Sequence, residues 1–213
     1  MAKKSKSTKS KKNNKLPIKV FILVAILAAV GWGVYSYLQV KKQGGLNKPV
    51  VTCLNDGSCV LTAHIHSYMV IEMCGEPQYL GNEVGPLDGP HTHEERNIIH
   101  WHDKLPYDKE KEEITDTTKL KVGTAMDNQN LTFDSTSLMD RKNGEGCPNG
   151  KPGSLKMFVK KKGENSFKQN EDYREYIWED QDIIVIVFDE RTAQETKEYL
   201  NSQNIEFPKL GRG

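Results

Sequence analysis

The sequence predicts an α+β, strand-dominated outer domain carried on one N-terminal transmembrane helix. Three observations lead there. A lysine-rich leader runs into 21 residues without a charge, Val20–Val40. Beyond them, β-branched and apolar runs alternate with Gly, Pro, Asn and Asp turns. One segment near the C-terminus, Arg191–Leu200, has the composition of a longer helix.

Residues 1–19 hold eight lysines and no acid and read as a basic cytoplasmic tail. At about 1.5 Å per residue, residues 20–40 make a helix of about 31 Å, which matches a hydrocarbon core of about 30 Å. Trp32, Tyr35 and Tyr37 fall near its far end, where aromatic rings favour the interface. Only Lys41, Lys42 and Lys48 closely follow the span, so the positive-inside rule puts the N-terminus in the cytoplasm. Ala29-Val30-Gly31 offers a small-x-small site for signal cleavage, but the apolar run is longer than a usual signal core. The expectation is a single-pass cell-membrane protein, held by residues 20–40, with its C-terminal domain extracytoplasmic. Residues 43–213 carry 20 basic against 29 acidic residues, a net charge of −9. That balance argues against nucleic acid as a partner, and the basic tail is read as topology and contact with anionic lipid.

Residues 41–46 form a linker, residues 47–190 the outer β-rich domain, and residues 191–213 a C-terminal helix and tail. Val50–Leu54 and Ser58–Met73 read as strands, joined by an Asn55-Asp56-Gly57 turn that sets Cys53 opposite Cys59. Two cysteines facing each other in an exported hairpin can form a disulfide, and Cys74 and Cys147 are left to pair with each other. Four cysteines allow three connectivities, and sequence alone does not choose. Residues 75–97 read as loop, Ile98–Trp101 as a short strand, and the highly charged stretch 103–117 as an exposed excursion. Leu120–Val122 is expected as a short strand and Asp134–Arg141 as one or two helical turns capped by Asp134 or Ser135. Gly144–Gly153 is loop, and Leu155–Val159 is a strand that turns at Lys162-Gly163-Glu164-Asn165. The continuous apolar run Ile183–Phe188 is the candidate central strand. Asn130-Leu131-Thr132 fits an N-glycosylation acceptor.

All six histidines fall within residues 64–102, as three His-x-His pairs: His64/His66, His91/His93 and His100/His102. On a strand, residues i and i+2 share a face, so each extended pair offers two imidazoles able to chelate one ion. Imidazole suits zinc, copper, nickel and iron. Cys74 lies too far along the strand from His66 to join them, and methionine is sparse nearby, which favours Cu(II) or Zn(II) over a cuprous sulfur site. Glu94, Glu95 and Asp103 are further candidate ligands or ligand-orienting groups. No His-Glu-x-x-His, nucleophile elbow or phosphate loop occurs. The first reading is a non-enzymatic domain binding Cu(II) or Zn(II) for capture, delivery or sensing. The alternatives are a metal-dependent enzyme with an open site, with Glu94 or Glu95 as base, and a structural or protein-interaction domain with incidental histidines.

These elements carry three resemblances. Gly85 followed by His91-x-His93 resembles the opening of the first cupin motif, but Asn97 and Ile98 stand where its glutamate belongs and no second motif follows. The chain more closely resembles uncharacterised membrane-anchored proteins of archaea and candidate-phyla bacteria. These share a basic N-terminus, one span, an early His-x-His strand, a His-Thr-His-Asp element and an Ile-His-x-Glu element. Here the elements read His64-Ile65-His66, His91-Thr92-His93-Glu94 and Ile99-His100-Trp101-His102, with Glu94 in place of Asp and His102 in place of Glu. The resemblance implies a shared architecture and histidine site, not a reaction. The C-terminal part, from Tyr173 to the apolar strand, resembles the end of a ubiquitin-like β-grasp.

Overall fold

Two apolar runs set the architecture. Cys59–Met73 forms one strand of 15 residues, β2, and Asp182–Asp189 forms β11, whose eight residues are all buried. A β-branched run buried on both faces is what a central strand requires. The computed structural model describes residues 50–210, which are α+β and strand-dominated. The basic tail, the expected span, the linker and residues 211–213 lie outside the described residues. Among the described residues no helix is long and apolar enough to cross a membrane.

The remaining strands are β1 (Val50–Cys53), β3 (Glu76–Gln78), β4 (His91–Thr92), β5 (Ile98–Asp108), β6 (Glu113–Ile114), β7 (Ser137–Leu138), β8 (Arg141–Lys142), β9 (Ser154–Lys160) and β10 (Lys168–Gln169). Nine form one mixed sheet in the order β10-β9-β11-β2-β5-β4, with β1 and β3 also on β2 and β6 on β5. Every pairing is antiparallel except β2 with β11, which runs parallel from Ser67↔Asp182 to Met73↔Phe188. β2 thus works in two halves. Its first half pairs with β5, and its second half pairs with β11.

Strand alternation gives the sheet two different faces. One carries Ala63, Met69, Ile71, Ile99, Trp101, Leu105, Met157, Ile184, Ile186 and Phe188 into the main core. Helix α1 (Val122–Asn128), Phe133 and Trp178 complete that core. The other face carries Phe158, Ile183, Val185 and Val187, packed with Phe167 and with Leu200 of helix α2 (Ala193–Ser202). α2 opens on a capping box in which Thr192 and Glu195 satisfy each other's backbone N–H. The same face continues past Tyr68 to the histidines.

Both disulfides form: Cys53–Cys59 across the hairpin, and Cys74–Cys147 across 73 residues of chain. Four local expectations are corrected. Residues 75–97 are not wholly loop, because β3 and β4 lie within them and pair with β2 and β5. β5 does not stop at Trp101 but continues to Asp108, because Lys104 and Pro106 point outward while Leu105 fills the core. Residues 122–128 are helix rather than the end of a strand. Val122, Ala125 and Met126 bury one face, and Gly123 lets the helix approach Arg174, whose Cβ lies 3.0 Å from where a side chain would start. The expected turns of helix at 134–141 are instead the two-stranded β7–β8 ribbon. Asp134 does accept backbone N–H groups, from Thr136 at 2.6 Å and Ser137 at 2.8 Å, but they close a turn and no helix follows.

Candidate metal centre

The ladder places the histidines before any side chain is considered. His64 pairs with His102 and His66 with His100 across β2 and β5, and His91 pairs with His100 across β4 and β5. Residues directly opposite share a face. His93 follows β4 at the i+2 position. The sheet therefore gathers all three sequence pairs onto one face, next to the smaller core. His66, His91 and His100 form a buried floor, while His64 and His102 are exposed and His93 is half-buried. The rings sort into two triads, His64/His66/His100 and His91/His93/His102, and within each the candidate ligand atoms lie within 4.8 Å of one another. The strand pair His100/His102 is thus divided between the triads.

β4 is only two residues long, so side-chain bonds reinforce its short ladder to β5 and the backbone bond from Thr92 N–H to the Val84 carbonyl. The Thr92 hydroxyl donates to the Gly81 carbonyl at 2.6 Å and accepts from the Val84 N–H at 3.0 Å. Gly85 holds a φ of +106°, and a side chain there would begin 2.7 Å from the Pro90 carbonyl and 3.0 Å from His91. The glycine is required for this turn to pass His91. Asn97 takes a left-handed φ of 61° and accepts from the Leu80 N–H at 2.9 Å, so it shapes the entry into β5.

In the second triad, Nδ1 of His91 lies 2.8 Å from the Gly89 carbonyl oxygen. A carbonyl only accepts, so Nδ1 carries the proton and Nε2 presents its lone pair. That Nε2 stands 2.9 Å from Nε2 of His102 and 3.1 Å from Nε2 of His93. One ring lone pair cannot serve two neighbours as a hydrogen-bond acceptor in good geometry. A cation between the three can take all three lone pairs. With metal–nitrogen bonds of about 2.0–2.1 Å, ligand nitrogens stand about 2.9 Å apart at a right angle and about 3.3–3.4 Å apart at the tetrahedral angle. The observed spacings fall at or near those values.

In the first triad, the His64 and His66 ring centroids are 4.5 Å apart and those of His66 and His100 are 4.6 Å apart. Nε2 of His100 is buried and has no hydrogen-bond partner among the described residues. Leaving such a nitrogen unpaired costs about 1–3 kcal/mol, and an ion would satisfy it. Two carboxylates approach this triad. Glu95 Oε2 is 3.9 Å from His100 Nε2, and Asp180 Oδ1 is 3.8 Å from His66 Nδ1 while accepting the His66 backbone N–H at 3.2 Å.

Electrostatics favours the neutral form at His64, His91 and His100. Burial, then repulsion from His66, His93 and His91, lowers the His100 pKa to about 3. Burial and the neighbouring rings also lower His64, and burial lowers His91 against the pull of the Gly89 carbonyl. Neutral imidazole is the form that binds a metal.

No family model, no curated protein and no solved structure matches this chain.

The argument for the site therefore rests on its own geometry. Of the acids expected near the histidines, Glu95 reaches them. Asp103, one residue beyond His102 on β5, points to the opposite face. Asp180 was not singled out as a ligand. It lies in the turn before β11, 114 residues from His66, and no local pattern marks it. Among the described residues sulfur is absent from the site: all four cysteines are in disulfides, and Met69 and Met73 belong to the main core on the other face.

Proposed function

We propose that this chain is a membrane-anchored, extracytoplasmic domain that binds a divalent transition metal, Cu(II) or Zn(II), for capture, delivery or sensing. The observation that carries the reading is the convergence of three Nε2 atoms from His91, His93 and His102, with the His91 tautomer fixed by Gly89. An all-nitrogen donor set without thiolate or thioether supports cupric or zinc ions over cuprous ones. The charge-free stretch 20–40 behind eight lysines supports the anchor. Two disulfides fit an oxidising compartment outside the cytoplasm. The membrane, met through residues 20–40, is the partner this reading names, and a protein partner for capture or delivery stays open.

The test is metal content of the full-length chain, purified without a polyhistidine tag and re-equilibrated with limiting copper and zinc. At least one equivalent of metal is expected, and less metal in a His91→Ala/His93→Ala variant that keeps its circular dichroism. A folded protein that takes up no metal above background overturns the reading.

One observation favours a second reading, a metal-dependent enzyme. Each triad supplies three nitrogens, one short of the four ligands of a closed structural zinc site. An exchangeable water ligand in the cobalt-substituted protein would favour catalysis, and a closed four-coordinate spectrum would favour storage or transfer.

A further inference from the structure

We propose that the six histidines form one dinuclear centre, in which two adjacent ions share a small anionic oxygen or nitrogen ligand such as hydroxide or azide. His64, His66 and His100 hold one ion, and His91, His93 and His102 hold the other. This rests on the metal-binding reading above and adds to it the number of ions, their adjacency and the ligand between them.

Six donors are too many and too widely rooted for one ion. Zinc and cupric sites take about four protein ligands or fewer. The histidines spring from three neighbouring strands, with His66 and His91 on opposite sides of His100. At about 4.8 Å between strands, their backbones are roughly 10 Å apart. Each triad by contrast is compact.

The triads also touch. Across the divide, the His93 and His100 centroids are 4.5 Å apart, His64 and His102 5.6 Å, and His91 and His100 6.2 Å. Within the triads the ring pairs in contact run from 4.5 Å for His64/His66 to 5.9 Å for His93/His102. The spacing between sites is therefore close to the spacing within them. β5 supplies the hinge of the pair, sending His100 to one ion and His102 to the other from positions only two residues apart. Paired metal sites that clamp one oxygen between them hold their ions about 3.5–4 Å apart, which is the spacing this proposal requires.

Charge selects the class of shared ligand. Two dications on six neutral imidazoles carry four positive charges, and the nearby Glu95 and Asp180 carboxylates offset at most two. An anion between the ions relieves the remainder and fills the coordination position that each three-histidine set leaves free. It must be small, because the floor of His66, His91 and His100 is buried. Solvent reaches it past the exposed His64 and His102.

The experiment is a cupric titration of the full-length chain, followed by metal analysis and electron paramagnetic resonance. Two equivalents per chain are expected. The mononuclear signal of the first ion should be broadened or lost as the second binds, and azide should add a charge-transfer band. His64→Gln/His66→Gln and His91→Gln/His93→Gln, each checked for fold by circular dichroism, should each retain one equivalent with an uncoupled signal. Two equivalents with simply additive, uncoupled signals would overturn the shared ligand. One equivalent, abolished by either double variant, would overturn the dinuclear centre and leave the metal-binding reading standing. No binding at all would remove both.

Discussion

Nε2 of His91 and Nε2 of His102 stand 2.9 Å apart, although the ladder pairs His91 with His100 and His102 with His64. The contact is diagonal across the β4–β5 boundary, and the two rings meet edge to face. Backbone pairing alone would bring His91 to His100. The leaning together of diagonal partners is what separates a ligand triad from a row of sheet residues.

His102→Ala should therefore weaken metal binding by more than the roughly 10–100-fold typical of losing an outer-shell partner. Asp180→Asn should fall within that range, since Asp180 approaches His66 without joining the convergent nitrogens. Competition titration against a chelator of known affinity orders the two. Equal effects would mean that His102 is not a ligand.

The metal-free protein should lose stability on acidification. The folded pKa of His100, about 3, lies below its unfolded value near 6.5. Between them the unfolded chain binds more protons, so stability is full above about pH 6.5 and declines as pH falls toward 3. This one group contributes a slope of at most about 1.4 kcal/mol per pH unit. Urea midpoints at pH 7, 5 and 4 measure it, and His100→Gln should flatten the decline. A midpoint that rises in acid would contradict the buried, neutral ring.

Thr92→Val removes the hydroxyl that ties β4 to Gly81 and Val84. The Val84 N–H loses its acceptor, at a cost of about 1–3 kcal/mol. Metal affinity at His91/His93/His102 should fall with it, while His64/His66/His100 should be spared. Chemical denaturation and metal titration of the same preparation give both readouts.

The disulfides should differ in worth. Cys74–Cys147 closes 73 residues and should contribute about 4 kcal/mol through the unfolded chain, against about 2 kcal/mol for the six-residue Cys53–Cys59 loop. Urea unfolding of Cys74→Ala/Cys147→Ala and Cys53→Ala/Cys59→Ala tests the order. A larger loss from the hairpin pair would contradict it.

Much of this was legible in the sequence where a local rule governs. Asn55-Asp56-Gly57 announced the hairpin that sets Cys53 opposite Cys59, though not which cysteines would bond, the run Ile183–Phe188 announced the central strand, and His-x-His spacing announced rings on a common face. The failures lie where tertiary context outweighs local signal. Asp103 and Lys104 diluted the apolar pattern of β5, yet β2 offered ten residues of ladder that carried the strand through them. Gly123 and Thr124 lowered the helix propensity of α1, which burial of Val122 and Met126 restored. The sorting of His100 and His102 into different triads depends on β4 lying beside β5, which no spacing along the chain encodes. Asp180 reaches His66 only through the parallel pairing of β2 with β11.

By sequence separation, that parallel pairing is expected to form after the β2–β5 ladder. Its first rung, Ser67 with Asp182, joins residues 115 positions apart, and contacts of such separation form slowly. The histidines instead lie within residues 64–102, and four of them sit on the directly paired strands β2 and β5. A metal ion can therefore meet its nitrogen donors while the C-terminal half of the chain is still unplaced. It would then act as a template that locks the register of β2 on β5, and Asp180 would arrive last, as the sheet closes around an ion already held.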